Sequence, residues 1–390
     1  MRLRKKLAIW FYAFFIQAGY FKSDPRLSWL PIDLTALMAF LVIGFLLVEI
    51  LKSPRISKRI LWLLLFFVSF LPGLIDFDIT PYVRTKVIRF YSQTLLVAIG
   101  PFFFIRTREE LREFLKATVA IGLFLAFDVL FQLVITKGNV WKITAFGSSV
   151  IAIGRSVGLV SVYFGIGYAM ERSLLNIVLL LGSALVLLVS GQRMAMVGPV
   201  FAIVFTLLSV YGVRVIHLKR LVAIGLLIIV IISATYFALP ERTRHRIERF
   251  FGGGLSGFVS SGNVGRKVAF INSLDQSVDH PFGLGLGGFQ NKVEGLGDYP
   301  HNIVAETFVE GGWLAGILLV ILGVVSFFST YFMARDDPIY LQFLGLFLFA
   351  FFYALVAGDL NDNRMLFSFI GSALAISKEN RGRQLEQVDW

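Results

Sequence analysis

Apolar runs close to the roughly 20 residues needed to cross a bilayer recur along the whole chain, separated by short polar links. Twelve spans are predicted, at about residues 7–21, 34–51, 60–75, 87–105, 117–135, 157–170, 174–190, 194–211, 221–239, 303–327, 339–357 and 365–376. The pattern is that of an all-α polytopic integral membrane protein. Spans one to nine fill residues 1–239, an outer loop with short amphipathic helices fills 240–302, spans ten to twelve fill 303–377, and a tail follows at 378–390. The first run follows the basic cluster Arg2, Arg4, Lys5 and Lys6 and leads into Lys22-Ser-Asp-Pro25 without a small-residue cleavage site, so it is expected to be retained as a helix.

Composition agrees: 57% of residues are hydrophobic, 40 are phenylalanine and only 16% are charged. The net charge of +12 is read mainly as topology. Lys52, Arg55, Lys58 and Arg59 fall in one link, Arg106, Arg108, Arg112 and Lys116 in another, Arg214, Lys219 and Arg220 in a third, and Lys378, Arg381 and Arg383 in the tail. With twelve spans all four segments share a side with the N-terminus, which makes that side, and both termini, cytoplasmic. Such charge meets lipid headgroups and gives no reason to expect nucleic acid. Cysteine is absent, so no disulfide framework is expected.

The same count leaves Arg155, Arg193, Arg242, Arg244, Arg246, Arg249 and Arg266 outside, against the trend. In a helix, Arg242, Arg246 and Arg249 form one stripe that could anchor to lipid phosphates. Arg193 differs, because the tight Ser190-Gly-Gln-Arg193 link pins its guanidinium against two helix ends, where it needs an anion or an internal carboxylate. In the outer loop, Val268, Ile271, Leu274 and Val278 recur at helical spacing, so Arg266 is expected to open a short amphipathic helix on the membrane surface. A helix start beside an arginine makes a candidate phosphate site. The glycines of His280-Pro-Phe-Gly-Leu-Gly-Leu-Gly-Gly-Phe289 have no βαβ context, which rejects a dinucleotide fingerprint and favours a tight turn approaching substrate or a helix end.

His301 and Asn302 stand at the mouth of span ten, with Glu306 and Glu310 one and two turns inward on one face. Carboxylates at bilayer depth turn toward a cavity or a partner; the competing reading has Glu310 accept hydrogen bonds at a kink near Gly311 and Gly312. His301 has no second histidine at ligand spacing, so no metal site is assigned there. A rival constellation is Asp76-Phe-Asp78, two carboxylates that can share a divalent cation. Asp128 is a lone acid within span five.

Taken in order, Ser190-Gly-Gln-Arg193, Gly265-Arg266, Asp279-His-Pro-Phe-Gly-Leu-Gly-Leu-Gly-Gly-Phe289, His301-Asn302 and Glu310-Gly311 resemble the O-antigen ligase and O-antigen polymerase superfamily. The resemblance covers the architecture in span count, and its motifs lie in about residues 187–320. It implies an enzyme of the bacterial cytoplasmic membrane, facing the periplasm or outside, that transfers a glycan from a polyprenyl (undecaprenyl) diphosphate to an acceptor hydroxyl, with no cofactor. Arg193 and Arg266 then hold the diphosphate, His301 acts as the base, and Glu310, Glu306, Asn302 and Arg155 support them. Partners are the lipid-linked glycan, an acceptor glycolipid or glycan, and membrane lipids. A ligase passes the glycan to the lipid A core; a polymerase joins lipid-linked repeats. From another class, a multi-span transporter of lipid-linked sugar is weighed against this, disfavoured by the absence of evident repeats or paired broken helices.

Overall fold

The computed structural model describes residues 1, 3–21, 24–52, 57–74, 79–137, 144–215, 263–292 and 299–376. The regular structure among them is helical throughout, without strands. In chain order the helices are α1 (Leu3–Gln17), α2 (Leu34–Lys52), α3 (Ile60–Val68), α4 (Pro81–Phe104), α5 (Arg108–Ile135), α6 (Val150–Glu171), α7 (Leu174–Ser190) and α8 (Arg193–Val215). Then follow α9 (Asn263–Asp279), the short α10 (Gly288–Lys292), α11 (Ile303–Ala334), α12 (Pro338–Ala354) and α13 (Arg364–Ala375). Six of these, α2, α4, α5, α6, α8 and α11, are long and apolar enough to cross a membrane; α7 and α12 are shorter apolar helices. The span expected at 221–239, the arginine stripe at 242–249, Asp76, Asp78 and the tail lie outside the described residues.

Helix boundaries follow local chemistry. Thr107 and Glu110 form a reciprocal capping box at the start of α5, and Asp337 caps α12 ahead of Pro338. Two boundaries depart from the hydropathy pattern. The third apolar run yields only nine helical residues before it turns at Pro72. Conversely α6 starts at Val150, capped by Ser149, and runs through Arg155, so this arginine lies within the helix and not ahead of it.

The main apolar cluster draws on α1 to α8, α11, α12 and α13, and a smaller one joins α9 and α10 to α11. The two ends of the bundle differ chemically. At one end Arg4 and Lys5 at the start of α1 pair with Glu49 at the end of α2, Lys5 also faces Glu110, and Arg108 pairs with Asp337. The opposite end holds buried cations, the chain links next to Arg193 and His301, and the outer-loop helix α9.

α11 is broken at Gly312, whose φ of 76° is left-handed. A break exposes backbone groups that hydrocarbon cannot satisfy. The glycine turn supplies the partners: Leu284 N donates to Val309 O at 2.8 Å, Gly285 N donates to Glu310 O at 3.0 Å, and Trp313 N donates to Pro281 O at 2.9 Å. The backbones meet so closely that a side chain at Gly312 would lie 2.5 Å from Pro281 O, and one at Gly283, also left-handed, would strike Glu310 O. The kink foreseen near Gly311 and Gly312 is therefore present, and the glycine turn closes on it.

Candidate functional site

Three polar groups converge at this end. The first is a buried charge cluster. Lys86 Nζ donates to Glu306 Oε1 at 2.6 Å and to Glu310 Oε1 at 2.8 Å, with Lys86 2% exposed and both glutamates fully buried. The helical spacing of four puts both carboxylates on one face, so one lysine from α4 bridges them. Lys86 also accepts, through its carbonyl, the Asn361 side-chain N–H at 3.0 Å, and Asn361 Oδ1 accepts from Thr94 Oγ1 at 2.8 Å within a π-helical stretch of α4.

The second is Arg155. Its guanidinium donates to Asp362 O at 2.6 Å, to Ala357 O at 2.9 Å and to Asn363 Oδ1 at 3.3 Å, and lies 5.2 Å from the Tyr353 ring centroid. Tyr20 lines the same cleft as this cation. Peptide carbonyls thus hold this buried cation in place of a carboxylate. The accepting strand of chain, residues 357–363, ends in a 3-10 turn (Leu360–Asn363) capped by Asp359, whose side chain accepts from Asp362 N. Burial, with Asp362 beside it, pushes the Asp359 carboxyl above its ordinary range. Tyr20, Arg155, Tyr353, Asp362 and Asn363 line a narrow cleft together with the apolar Leu159, Phe349 and Leu366.

The third is the pair of polar links. Gln192, next to Arg193 at the start of α8, accepts from Tyr353 Oη at 2.7 Å. His301 takes a left-handed φ of 59° just ahead of α11, and its ring meets Tyr299 edge-on at 4.4 Å between centroids. Burial pushes the Tyr299 hydroxyl up to about 12, and Asp362, Asp359, Glu306 and Arg155 act on it electrostatically. Asn302 caps α11, accepting from Val304 N and Ala305 N at 3.0 Å each, which leaves its carbonyl oxygen side chain occupied by the helix.

Arg266 stands in the first turns of α9, exposed. The stripe Val268, Ile271, Leu274 and Val278 is exposed too, while the small face, Ala269, Ser273 and Ser277, packs inward toward α11. At the same end of the bundle, Asp128 accepts from Gln132 Nε2 at 2.8 Å and Phe146 N at 3.2 Å, a helix-to-loop brace. Among the described residues no three histidine, aspartate or glutamate side chains group as metal ligands.

Residues 177–320 match the O-antigen ligase family model. The matched stretch runs from α7 into α11 and contains Arg193, Arg266, the glycine turn, His301 and both glutamates, in agreement with the superfamily resemblance of the sequence. An O-antigen ligase domain implies a glycosyl-transferring enzyme working on lipid-linked glycans in a membrane. No curated protein matches the chain significantly.

Sequence reasoning missed Lys86, Tyr20, Tyr353 and the 357–364 segment. Lys86 carried a usable signal: a basic residue at the edge of one span is the complement that two acids at i and i+4 of another require. The 357–364 segment reads as an ordinary polar link, and only its carbonyls' grip on Arg155 shows its use.

Proposed function

We propose that the protein transfers a glycan from a polyprenyl diphosphate to an acceptor hydroxyl at the outer face of the bacterial cytoplasmic membrane, in the manner of an O-antigen ligase. The observation that carries this reading is the match of residues 177–320, the stretch holding Arg193, Arg266 and His301, to the O-antigen ligase family. Beside that stretch, Tyr353 bonds Gln192, the residue before Arg193, and its ring meets the buried Arg155.

In this scheme Arg193 and Arg266 hold the diphosphate. The bond between the sugar's anomeric carbon and the phosphate oxygen breaks, the diphosphate departs with the electron pair, and the acceptor oxygen bonds the carbon. Negative charge grows on the departing oxygens, where charge-assisted hydrogen bonds contribute about 1.5–3 kcal/mol each. The acceptor proton passes to His301, because neutral imidazole, with an ordinary pKa of about 6.5, accepts a proton at physiological pH. The diphosphate leaves without needing a proton, so no metal is assigned. Lys86 neutralises one charge of the Glu306 and Glu310 pair, which makes these glutamates anchors of the helix that starts after His301. Both termini are assigned to the cytoplasm and the twelve-span topology is retained.

The test is reconstitution with a polyprenyl diphosphate glycan and alternative acceptors. Transfer to a second lipid is the ligase outcome, a growing ladder on the carrier the polymerase outcome. Movement of the intact lipid-linked sugar across the vesicle without transfer would sink the proposal in favour of a transporter.

A further inference from the structure

We propose that Tyr353, together with Gln192, is a positioning pair that sets the link carrying Arg193 and so tunes binding of the diphosphate donor; this rests on the assignment of Arg193 to the diphosphate. The link is short and is fixed from two sides. On the α7 side, Gly191 takes a left-handed φ of 69° and bonds Leu188 O, while Ser190 Oγ bonds Leu187 O at 2.6 Å. On the interior side the link is held by the Gln192 amide oxygen, which accepts from Tyr353 Oη at 2.7 Å. The hydroxyl has one proton, and the alternative acceptor, Ile151 O, is farther at 3.4 Å.

Two features make this bond specific. Gly154 of α6 lies against the amide: a side chain there would strike Gln192 Oε1 and lie 2.8 Å from Ala195 Cβ, so the glycine lets α6 pass close enough to hold Gln192 against Tyr353. The next residue, Arg155, places its guanidinium over the Tyr353 ring while its two terminal nitrogens donate to carbonyls of residues 357 and 362. The cation contact and the Gln192 bond thus engage the face and the hydroxyl of one ring. Tyr353 is 2% exposed, so the bond does not compete with bulk water.

Tyr353→Phe keeps the ring, its packing and the cation contact and removes only the hydroxyl. In the full-length reconstituted enzyme, donor binding is expected to weaken about 3- to 10-fold, the range for one buried hydrogen bond, with the acceptor KM unchanged. Gln192→Met should give the same donor-side loss, and the double variant no more than either single one. In an Arg193→Ala background, Tyr353→Phe should add nothing. If Tyr353→Phe does not accumulate in membranes, Gln192→Met on the link itself carries the same comparison. Unchanged donor binding in both variants, or a full extra loss from Tyr353→Phe on top of Arg193→Ala, would overturn the inference. Equal donor binding by the wild type and Arg193→Ala would instead overturn the underlying assignment of Arg193, a separate and recognisable outcome.

Discussion

Lys86→Met is expected to be far more damaging than neutralising either of the carboxylates it holds. In the native protein one ammonium serves two carboxylates at 2.6 and 2.8 Å, in surroundings without water contact. Removing the ammonium leaves both carboxylates buried and unpaired. Stripping one partner from a buried ion pair costs about 3–5 kcal/mol, a factor of roughly 10²–10⁴ in the folded population. Glu306→Gln behaves differently, because Lys86 and Glu310 remain as a neutral pair and the new amide can still accept from the ammonium; its cost should stay below about 1.5 kcal/mol. The triple replacement Lys86→Met, Glu306→Gln, Glu310→Gln should recover most of the loss, since it leaves no buried charge. The assay is unfolding of purified, detergent-solubilised protein followed by proteolysis of the open form, alongside transfer activity. The reasoning is refuted if Lys86→Met is as stable as the wild type, or if Glu306→Gln is equally harmful.

Four further outcomes are expected. Arg193→Ala or Arg266→Ala should weaken donor binding, whereas His301→Ala should bind donor normally and lose about 10²- to 10⁴-fold in rate, as read by a direct binding assay beside single-turnover transfer. Arg193→Lys should rescue only part of the loss, since an ammonium lacks the guanidinium's planar two-point hold on phosphate. Transfer should survive EDTA; activity lost in chelator and restored by Mg²⁺ would shift attention to Asp76 and Asp78. Because the chain has no cysteine, single cysteines at 193 and 266 report sidedness without background, and both should react with an impermeant thiol reagent in intact spheroplasts.

The helical framework was readable because apolar runs of bilayer length leave few alternatives, and the described residues are helical with six helices long and apolar enough to cross a membrane. The boundaries were harder. Hydropathy placed the sixth span after Arg155, since a charge ordinarily ends a span; in the folded protein, carbonyls from residues 357 and 362 satisfy the guanidinium, and the helix continues through it. The motif positions were readable because each combines a rare residue type with a turn. Lys86 and Glu306 were not, being 220 residues apart: each looks like an isolated charge until the fold joins them. Tyr353 sits among the aromatic residues of an apolar helix, where nothing marks it until its hydroxyl is seen to face Gln192.

The joint between the glycine turn and the break in α11 bears on how the protein is made. A helix interrupted at Gly312 would enter the bilayer with two carbonyls and an amide uncovered, an arrangement hydrocarbon opposes. The residues that cover them, Pro281 to Gly285, precede α11 in the chain and so leave the ribosome first. The cover is already synthesised when the interrupted helix reaches the membrane, and docking of the turn and insertion of the helix can proceed as one event. A circular permutant that reversed this order would retain every contact on paper yet present the bare break to lipid first, and its yield of inserted protein would fall even where the final fold was unchanged.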